Sequence, residues 1–92
     1  MRLGTVRQQP NERLSYSVTY EDVLTDNDNV SAATASVDPV GLTVDNVSVI
    51  DPRVRFWVTG GVSGTRYKVT LSVDTDDGRH YEDEIMFLIR EL

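Results

Sequence analysis

Alternation of apolar and polar residues runs through the second half of the chain and predicts β-strands there. Residues 53–59 place Val, Phe and Val at every second position, as in a strand that buries one face. Residues 65–74 repeat this pattern more regularly and form the clearest strand of the sequence. Asp77-Gly78 predicts a hairpin turn, after which residues 81–89 return as a further strand. Helical spacing is absent from the sequence, so the pattern predicts an all-β fold.

Weaker alternation in the first half predicts four more strands. They cover Leu14–Tyr20, Val30–Val37, Gly41–Val44 and Val47–Ile50. Asp38-Pro39 and Asp51-Pro52 end strands, because proline has no N–H to donate to a sheet. Seven short strands separated by turn signals at intervals of about 8–12 residues are typical of a two-sheet sandwich.

Residues 1–13 contain little periodic apolar sequence, so we expect an extended N-terminal arm followed by a β-sandwich over residues 14–92. A chain of 92 residues makes one small domain. Such a domain buries only about 60–65% of the surface that its unfolded chain exposes. A small domain without disulfides often gains stability from a neighbouring subunit, and we therefore expect a homo-oligomer.

The net charge of -6 is distributed unevenly along the chain. Residues 1–13 carry a net +2, from Arg2, Arg7 and Arg13 against Glu12, whereas residues 14–52 carry -7 and contain no Lys or Arg. Residues 53–92 carry -1. A basic arm ahead of an acidic body suits head-to-tail contact between copies or docking on a larger assembly, although ordinary solubility charge explains it as well. Because no basic stripe could displace phosphate counterions, we expect no nucleic-acid partner.

The composition also indicates the cellular compartment of the protein. The chain has no cysteine, which excludes disulfides and thiolate metal sites. The N-terminus lacks the charged and apolar regions of a signal peptide, and no apolar run reaches membrane-spanning length. We therefore expect an intracellular protein with no membrane partner.

Candidate chemistry in the sequence is sparse. The single histidine, His80, has only Glu82 and Glu84 as polar neighbours on its strand face, and a solvent-facing hairpin position explains it better than catalysis or metal binding. Residues 74–78 resemble a calcium loop but have glycine one position too early, so a hairpin is favoured and weak surface calcium is the alternative. For Asp26-Asn27-Asp28-Asn29 a turn is likewise favoured, and metal binding is the alternative. We expect a protein that is not an enzyme and holds no cofactor.

Candidate interface residues come from the strands and from the arm. Trp57 shares the parity of Arg53 and Arg55 and should face away from the core, covered by the arm or by a partner; a β-bulge that turns it inward is the alternative. Met86 and Leu88 make the last strand apolar on both faces, and we expect that strand at a sheet edge. The full set is Arg2, Arg7, Arg13, Trp57, Met86 and Leu88.

Tyr67 is a candidate tyrosine corner, in which the hydroxyl bonds to backbone upstream; a plain core tyrosine is the alternative. The run Gly64-Thr65-Arg66-Tyr67-Lys68-Val69-Thr70 resembles the loop and strand of fibronectin type III and other immunoglobulin-like domains. This resemblance implies that the sandwich is immunoglobulin-like (fibronectin type III-like).

A longer resemblance covers roughly residues 10–90. Its residues are Pro10, Glu12, Tyr16, Val18, Tyr20, Asp28, Ser31-Ala32, Gly41-Leu42-Thr43-Val44, Thr59-Gly60-Gly61, Gly64, Tyr67-Lys68-Val69-Thr70 and Gly78-Arg79. In this order they resemble small virion proteins of tailed phages, the fibre-tail adaptors and the neck and tail proteins. The resemblance implies a non-enzymatic virion component that is assembled in the host cytoplasm. Its partners would be other tail, neck or fibre proteins, with its own copies repeated in a ring.

A second function class remains open at this point. Isolated β-sandwiches of this size also occur as carbohydrate- or surface-binding modules of longer chains. Such a module would bind glycans as an isolated domain, whereas an adaptor would bind other virion proteins.

Overall fold

A computed structural model describes residues 1–25 and 27–91 of the chain. These residues form seven strands: Arg2–Gln8 (β1), Arg13–Thr19 (β2), Val30–Asp38 (β3), Leu42–Ile50 (β4), Arg53–Gly60 (β5), Arg66–Thr75 (β6) and His80–Ile89 (β7). They include no helix, and therefore none long and apolar enough to cross a membrane. The predicted all-β class is confirmed.

The described strands form two sheets. One has four strands in the order β1-β7-β6-β3, and the other has three in the order β2-β5-β4. All neighbours are antiparallel except β1, which runs parallel to β7. The sets β2-β5-β4 and β7-β6-β3 follow the strand order of the two sheets of an immunoglobulin-like sandwich, with the first strand moved onto the edge of the second set.

The core consists of the inward-facing residues of β5, β6 and β7, as the alternation predicts. Val54, Phe56, Val58, Tyr67, Val69, Leu71, Val73, Ile85, Phe87 and Ile89 are all buried. Aromatic rings join the two sheets, with Phe87 packing edge-on against Tyr16 and Phe56 at centroid distances of 5.1 and 6.4 Å. A core shared by both sheets makes the sandwich one rigid body.

Tyr67 forms the predicted tyrosine corner. The backbone N–H of Val62 donates to its hydroxyl at 2.9 Å, which fixes the loop that crosses from one sheet to the other. Gly61 lies in this loop at φ +93°. A Cβ there would lie 2.7 Å from Cγ1 of Ile89, so the position requires glycine for space as well as for backbone conformation.

The predicted N-terminal arm is not separate from the sandwich over its first eight residues. Arg2–Gln8 forms β1, and the domain boundary drawn at residue 13 therefore cuts through paired structure. Gln8 holds the end of this strand, because its buried side chain donates to the carbonyl of Val58 at 2.9 Å and accepts from the Tyr16 hydroxyl at 2.6 Å. The sequence pattern hides β1 because a polar glutamine occupies a core position.

Two predicted strands are one. The segments Gly41–Val44 and Val47–Ile50 are joined in β4, and the separation predicted between them was wrong. The pairing register with β5 shifts between Asp45 and Ser48, and Asn46 has φ +49°. A β-bulge interrupts the period-2 pattern without ending the strand, which explains the error.

The predicted position of the last strand at a sheet edge was also wrong. β7 lies between β1 and β6, so both of its backbone edges are hydrogen-bonded. The edges of the four-stranded sheet are β1 and β3 instead. Any contact through Met86 and Leu88 must therefore use the face of the sheet.

Candidate functional site

The six predicted interface residues divide between the two outer faces of the sandwich. Arg2, Arg7, Met86 and Leu88 belong to the outer face of the four-stranded sheet. Arg13 and Trp57 belong to the outer face of the three-stranded sheet. The structure thus brings the six residues together as two groups that are separated by the core.

The first group centres on Met86 and Leu88, which are half-buried. Met86 lies in register between Thr5 of β1 and Lys68 of β6. Leu88 lies in register between Arg7 and Arg66 of the same two strands. We call Arg7, Arg66, Lys68, Met86 and Leu88 the apolar-basic patch. Two apolar side chains ringed by three cations form a surface suited to a protein partner that carries carboxylates.

Sequence reasoning identified Arg7, Met86 and Leu88 in this patch but missed Arg66 and Lys68. The alternation of β6 already places these two residues on the outer face, and only the antiparallel hairpin with β7 was needed to set them beside Leu88 and Met86. Lys68 is partly neutralised, because its Nζ lies 3.5 Å from a carboxylate oxygen of Glu84.

The second group centres on Trp57, which faces outward as its parity predicts. The pairing of β2 with β5 has no register shift, and Trp57 is half-buried opposite Ser15. The guanidinium carbon of Arg13 lies 5.0 Å from the centroid of its ring, so the arm residue covers part of it. The alternative in which a bulge turns Trp57 into the core is not observed.

Arg13 also connects Trp57 to its neighbours. Its Nη1 donates to the Thr59 hydroxyl at 2.9 Å and lies 3.1 Å from Oδ1 of Asp45, the residue opposite Trp57 on β4. We call Arg13, Asp45, Trp57 and Thr59 the tryptophan patch. Sequence reasoning missed Asp45, because the β4 bulge obscures its facing. A held aromatic ring with polar neighbours is a common anchor in protein interfaces.

The loops at one end of the sandwich are tied together by Asp28. Its Oδ1 accepts the backbone N–H groups of Asn29 and Asp77 at 2.9 and 3.0 Å, and its Oδ2 lies 3.4 Å from Nη1 of Arg79. Burial alone would raise the pKa of this carboxyl, but the hydrogen bonds from Asp77, Thr75 and Asn29, with the charge of Arg79, outweigh burial and lower it. Its oxygens are thus used internally, so the calcium alternative has no support at this residue.

His80 is exposed at the start of β7, as predicted. Its Nδ1 lies 2.7 Å from Oδ1 of Asp74, and its Nε2 lies 3.6 Å from Oε2 of Glu82. The hydrogen bond to Asp74, aided by Glu82, raises the pKa of the imidazole above its ordinary value. These partners form a local charge cluster with the exposed imidazole.

A second buried carboxylate, that of Asp83, lies beneath the N-terminal end of β1. The hydroxyl of Tyr20 donates to Oδ2 of buried Asp83 at 2.8 Å. Burial and this carboxylate together raise the pKa of Tyr20 strongly, so that it stays a neutral donor. The pair joins the end of β2 to the middle of β7 and is part of the packing between the sheets.

The chain matches one protein-family model. No curated protein matches the chain. The family model described as podophage GP4 fiber-tail adaptor protein gp77 matches residues 8–88, nearly the whole chain. The match agrees with the predicted resemblance to fibre-tail adaptors and assigns the chain to a structural family of phage tail components. The chain therefore belongs to the podophage fibre-tail adaptor family.

Proposed function

We propose that this protein is a non-enzymatic adaptor of a tailed-phage virion that joins tail or neck components to the fibres, with its copies repeated in a ring. Assembly takes place in the host cytoplasm, and the partners are other virion proteins. The observation that carries this proposal is the pair of unlike patches on opposite faces of one rigid sandwich. An adaptor must bind two different partners at once, and opposite faces allow both to bind without collision.

The two patches differ in the chemistry that they offer. The apolar-basic patch presents Met86 and Leu88 between cations, whereas the tryptophan patch presents one aromatic ring held by Arg13. Because Met86 and Leu88 are already half-buried, covering the rest contributes about 1 kcal/mol each. Binding therefore requires many copies or further contacts, and repetition in a ring supplies both.

The sandwich also suits the mechanical part of this role. Its two sheets share a core in which the largest side chains of β5, β6 and β7 are fully buried. Closely packed interiors have low compressibility, so a load applied to one face reaches the other. Hydrogen bonds to Asp28 fix the loops at one end of the sandwich, and the hydrogen bond to Tyr67 fixes a loop at the other end. These bonds limit motion of the two patches relative to each other.

The test is incorporation of patch variants into virions. Leu88→Glu places a carboxylate in the apolar-basic patch, and we expect the isolated variant to keep its circular dichroism spectrum but to be absent from purified particles. Val23→Glu is the matched control, because Val23 is an exposed apolar residue beside Tyr81, at the opposite end of β7 from Leu88. This control should incorporate normally.

The tryptophan patch is tested in the same particles. Trp57→Ala should leave the protein folded and weaken attachment of one partner, so that particles lose either the protein or the fibres. Normal incorporation of Leu88→Glu together with full fibre attachment by Trp57→Ala would contradict the proposal. Unfolding of isolated Leu88→Glu would instead mean that this residue supports the fold, and Lys68→Glu then tests the same patch.

A further inference from the structure

The sandwich has a basic edge and an acidic edge. The two sheets begin with β1 and β2 on one side and end with β3 and β4 on the other. The charged residues of β1 and β2 are all basic: Arg2, Arg7 and Arg13. Those of β3 and β4 are both acidic: Asp38 and Asp45. The uneven charge along the sequence therefore becomes, through the strand order, a charge difference across the width of the molecule.

Part of this charge is neutralised within the chain. Arg13 and Asp45 lie 3.1 Å apart and pair with each other around Trp57. Among the described residues, no ion pair within 4 Å includes Arg2, Arg7 or Asp38. The unsatisfied opposite charges thus belong to the two edges of the four-stranded sheet, β1 and β3.

The β3 edge lacks the features that usually prevent strand addition. From Ser31 to Val37 it contains no charge and no proline, and its residues are small and mostly exposed. Its register shift lies at its start, between Val30 and Ala32, and leaves the rest regular. A regular edge strand of this kind exposes backbone N–H and C=O groups that can pair with another strand.

The geometry of the sheet determines which strand fits. β1 is parallel to β7, and both β7 and β3 are antiparallel to β6, so β1 and β3 run in the same direction. Asp38 pairs in register with Lys68, and Arg7 lies in the adjacent row with Leu88 and Arg66. Arg7 and Asp38 are therefore at the same end and on the same face of the sheet. A second copy placed beside the first in the same orientation brings its Arg7 close to Asp38 of its neighbour.

We propose that copies of this chain bind edge to edge, with β1 of one copy added in parallel to β3 of the next and Arg7 paired with Asp38. The two surfaces differ, so the contact is heterologous and repeats from copy to copy; it closes into a ring when the rotation between copies permits. This inference rests on the proposed ring and names the contact that builds it. Apart from Arg7, which belongs to this contact as well, the apolar-basic patch stays free on one face for other partners, and the tryptophan patch stays free on the other.

Charge exchange between the edges tests this contact. Self-association of the purified protein is measured by analytical ultracentrifugation up to about 1 mM, at ionic strengths from about 0.05 to 0.5 M. Arg7→Glu and Asp38→Arg should each weaken association about tenfold or more, because each puts like charges opposite each other. The double variant Arg7→Glu/Asp38→Arg should restore it, as should an equimolar mixture of the two single variants. Arg55→Glu and Glu21→Arg reverse charges away from these edges and should have no such effect.

Other outcomes overturn the edge contact. A two-fold contact of β3 with β3 leaves Arg7 outside the interface and predicts that Arg7→Glu does not weaken association. The edge contact is also contradicted if the wild-type protein stays monomeric up to about 1 mM. It is contradicted as well if neither charge reversal weakens association. Normal incorporation of Arg7→Glu into virions would refute the edge contact while leaving the adaptor role intact, since that role is tested by Leu88→Glu and Trp57→Ala.

Discussion

At a few positions in this sandwich, both packing and backbone conformation restrict which residue is tolerated. Gly61 is the clearest, because Ile89, Leu42 and Tyr67 all approach the position that a Cβ would occupy. Gly64, two residues before β6 begins at Arg66, has a similar φ of +88° but nothing within 4 Å of its Cβ position. Comparing substitutions at the two glycines therefore distinguishes the cost of a steric clash from the cost of backbone strain.

Gly61→Ala should destabilise the protein more than Gly64→Ala. Both variants put a side chain at positive φ, which costs roughly 1–2 kcal/mol. Only Gly61→Ala adds overpacking, worth about a further 1–3 kcal/mol. Urea denaturation of the two variants measures the difference. Equal losses of unfolding free energy would mean that the loop moves to make room at Gly61.

His80 should titrate above the ordinary histidine value of 6.5, because Asp74 and Glu82 stabilise its charged form. Its folded pKa is raised, so the stability that it contributes is fully present below pH 6.5 and is lost as the pH rises through the folded pKa. It is the only histidine of the chain, which gives a single NMR signal to follow. Asp74→Asn should lower the pKa toward 6.5. An unchanged pKa in that variant would show that Asp74 does not act on the imidazole in solution.

Among the strands, β5 is central to the architecture. This strand pairs with β2 on one side and β4 on the other, and its inward residues Val54, Phe56 and Val58 are fully buried. Phe56 also contacts aromatic rings of both sheets. The strand therefore fixes both the register of the three-stranded sheet and the distance between the sheets.

Phe56→Ala should lower the unfolding free energy by roughly 3–5 kcal/mol, since it removes a fully buried ring and leaves a cavity. Trp57→Ala, at the adjacent and half-buried outward position, should cost less than about 1.5 kcal/mol. Urea denaturation of both variants checks the register directly. A Phe56→Ala loss below about 1 kcal/mol would place the alternation on the wrong face.

The sequence predicted β5, β6 and β7 well because each buries one face under period-2 alternation. It misplaced features where that signal is interrupted. β1 reaches the core through Val6 and Gln8, and a glutamine does not mark a core position in a pattern of apolar residues. The β4 bulge at Asn46 split one strand into two segments. Arg66 and Lys68 could have been assigned to the apolar-basic patch by pairing the β6–β7 hairpin, but Asp45 required the bulge to be known.

The whole molecule is a rigid sandwich with two unlike faces and two oppositely charged edges. The faces follow from strand parity and could be predicted from sequence for Trp57, Met86 and Leu88. The edges depend on strand order, which joins β1 to β7 and so removes the expected edge at the last strand. We propose that the faces bind other virion proteins and that the edges bind further copies of the same chain.

Removal of the protein from the virion tests the adaptor role most directly. Phage with a disrupted gene for this chain would be purified and imaged by electron cryomicroscopy, with wild-type protein supplied from a plasmid as the control. We expect tails that lack fibres, with fibres restored by wild-type protein and not by folded Leu88→Glu. Particles that retain a full set of fibres without this protein would contradict it.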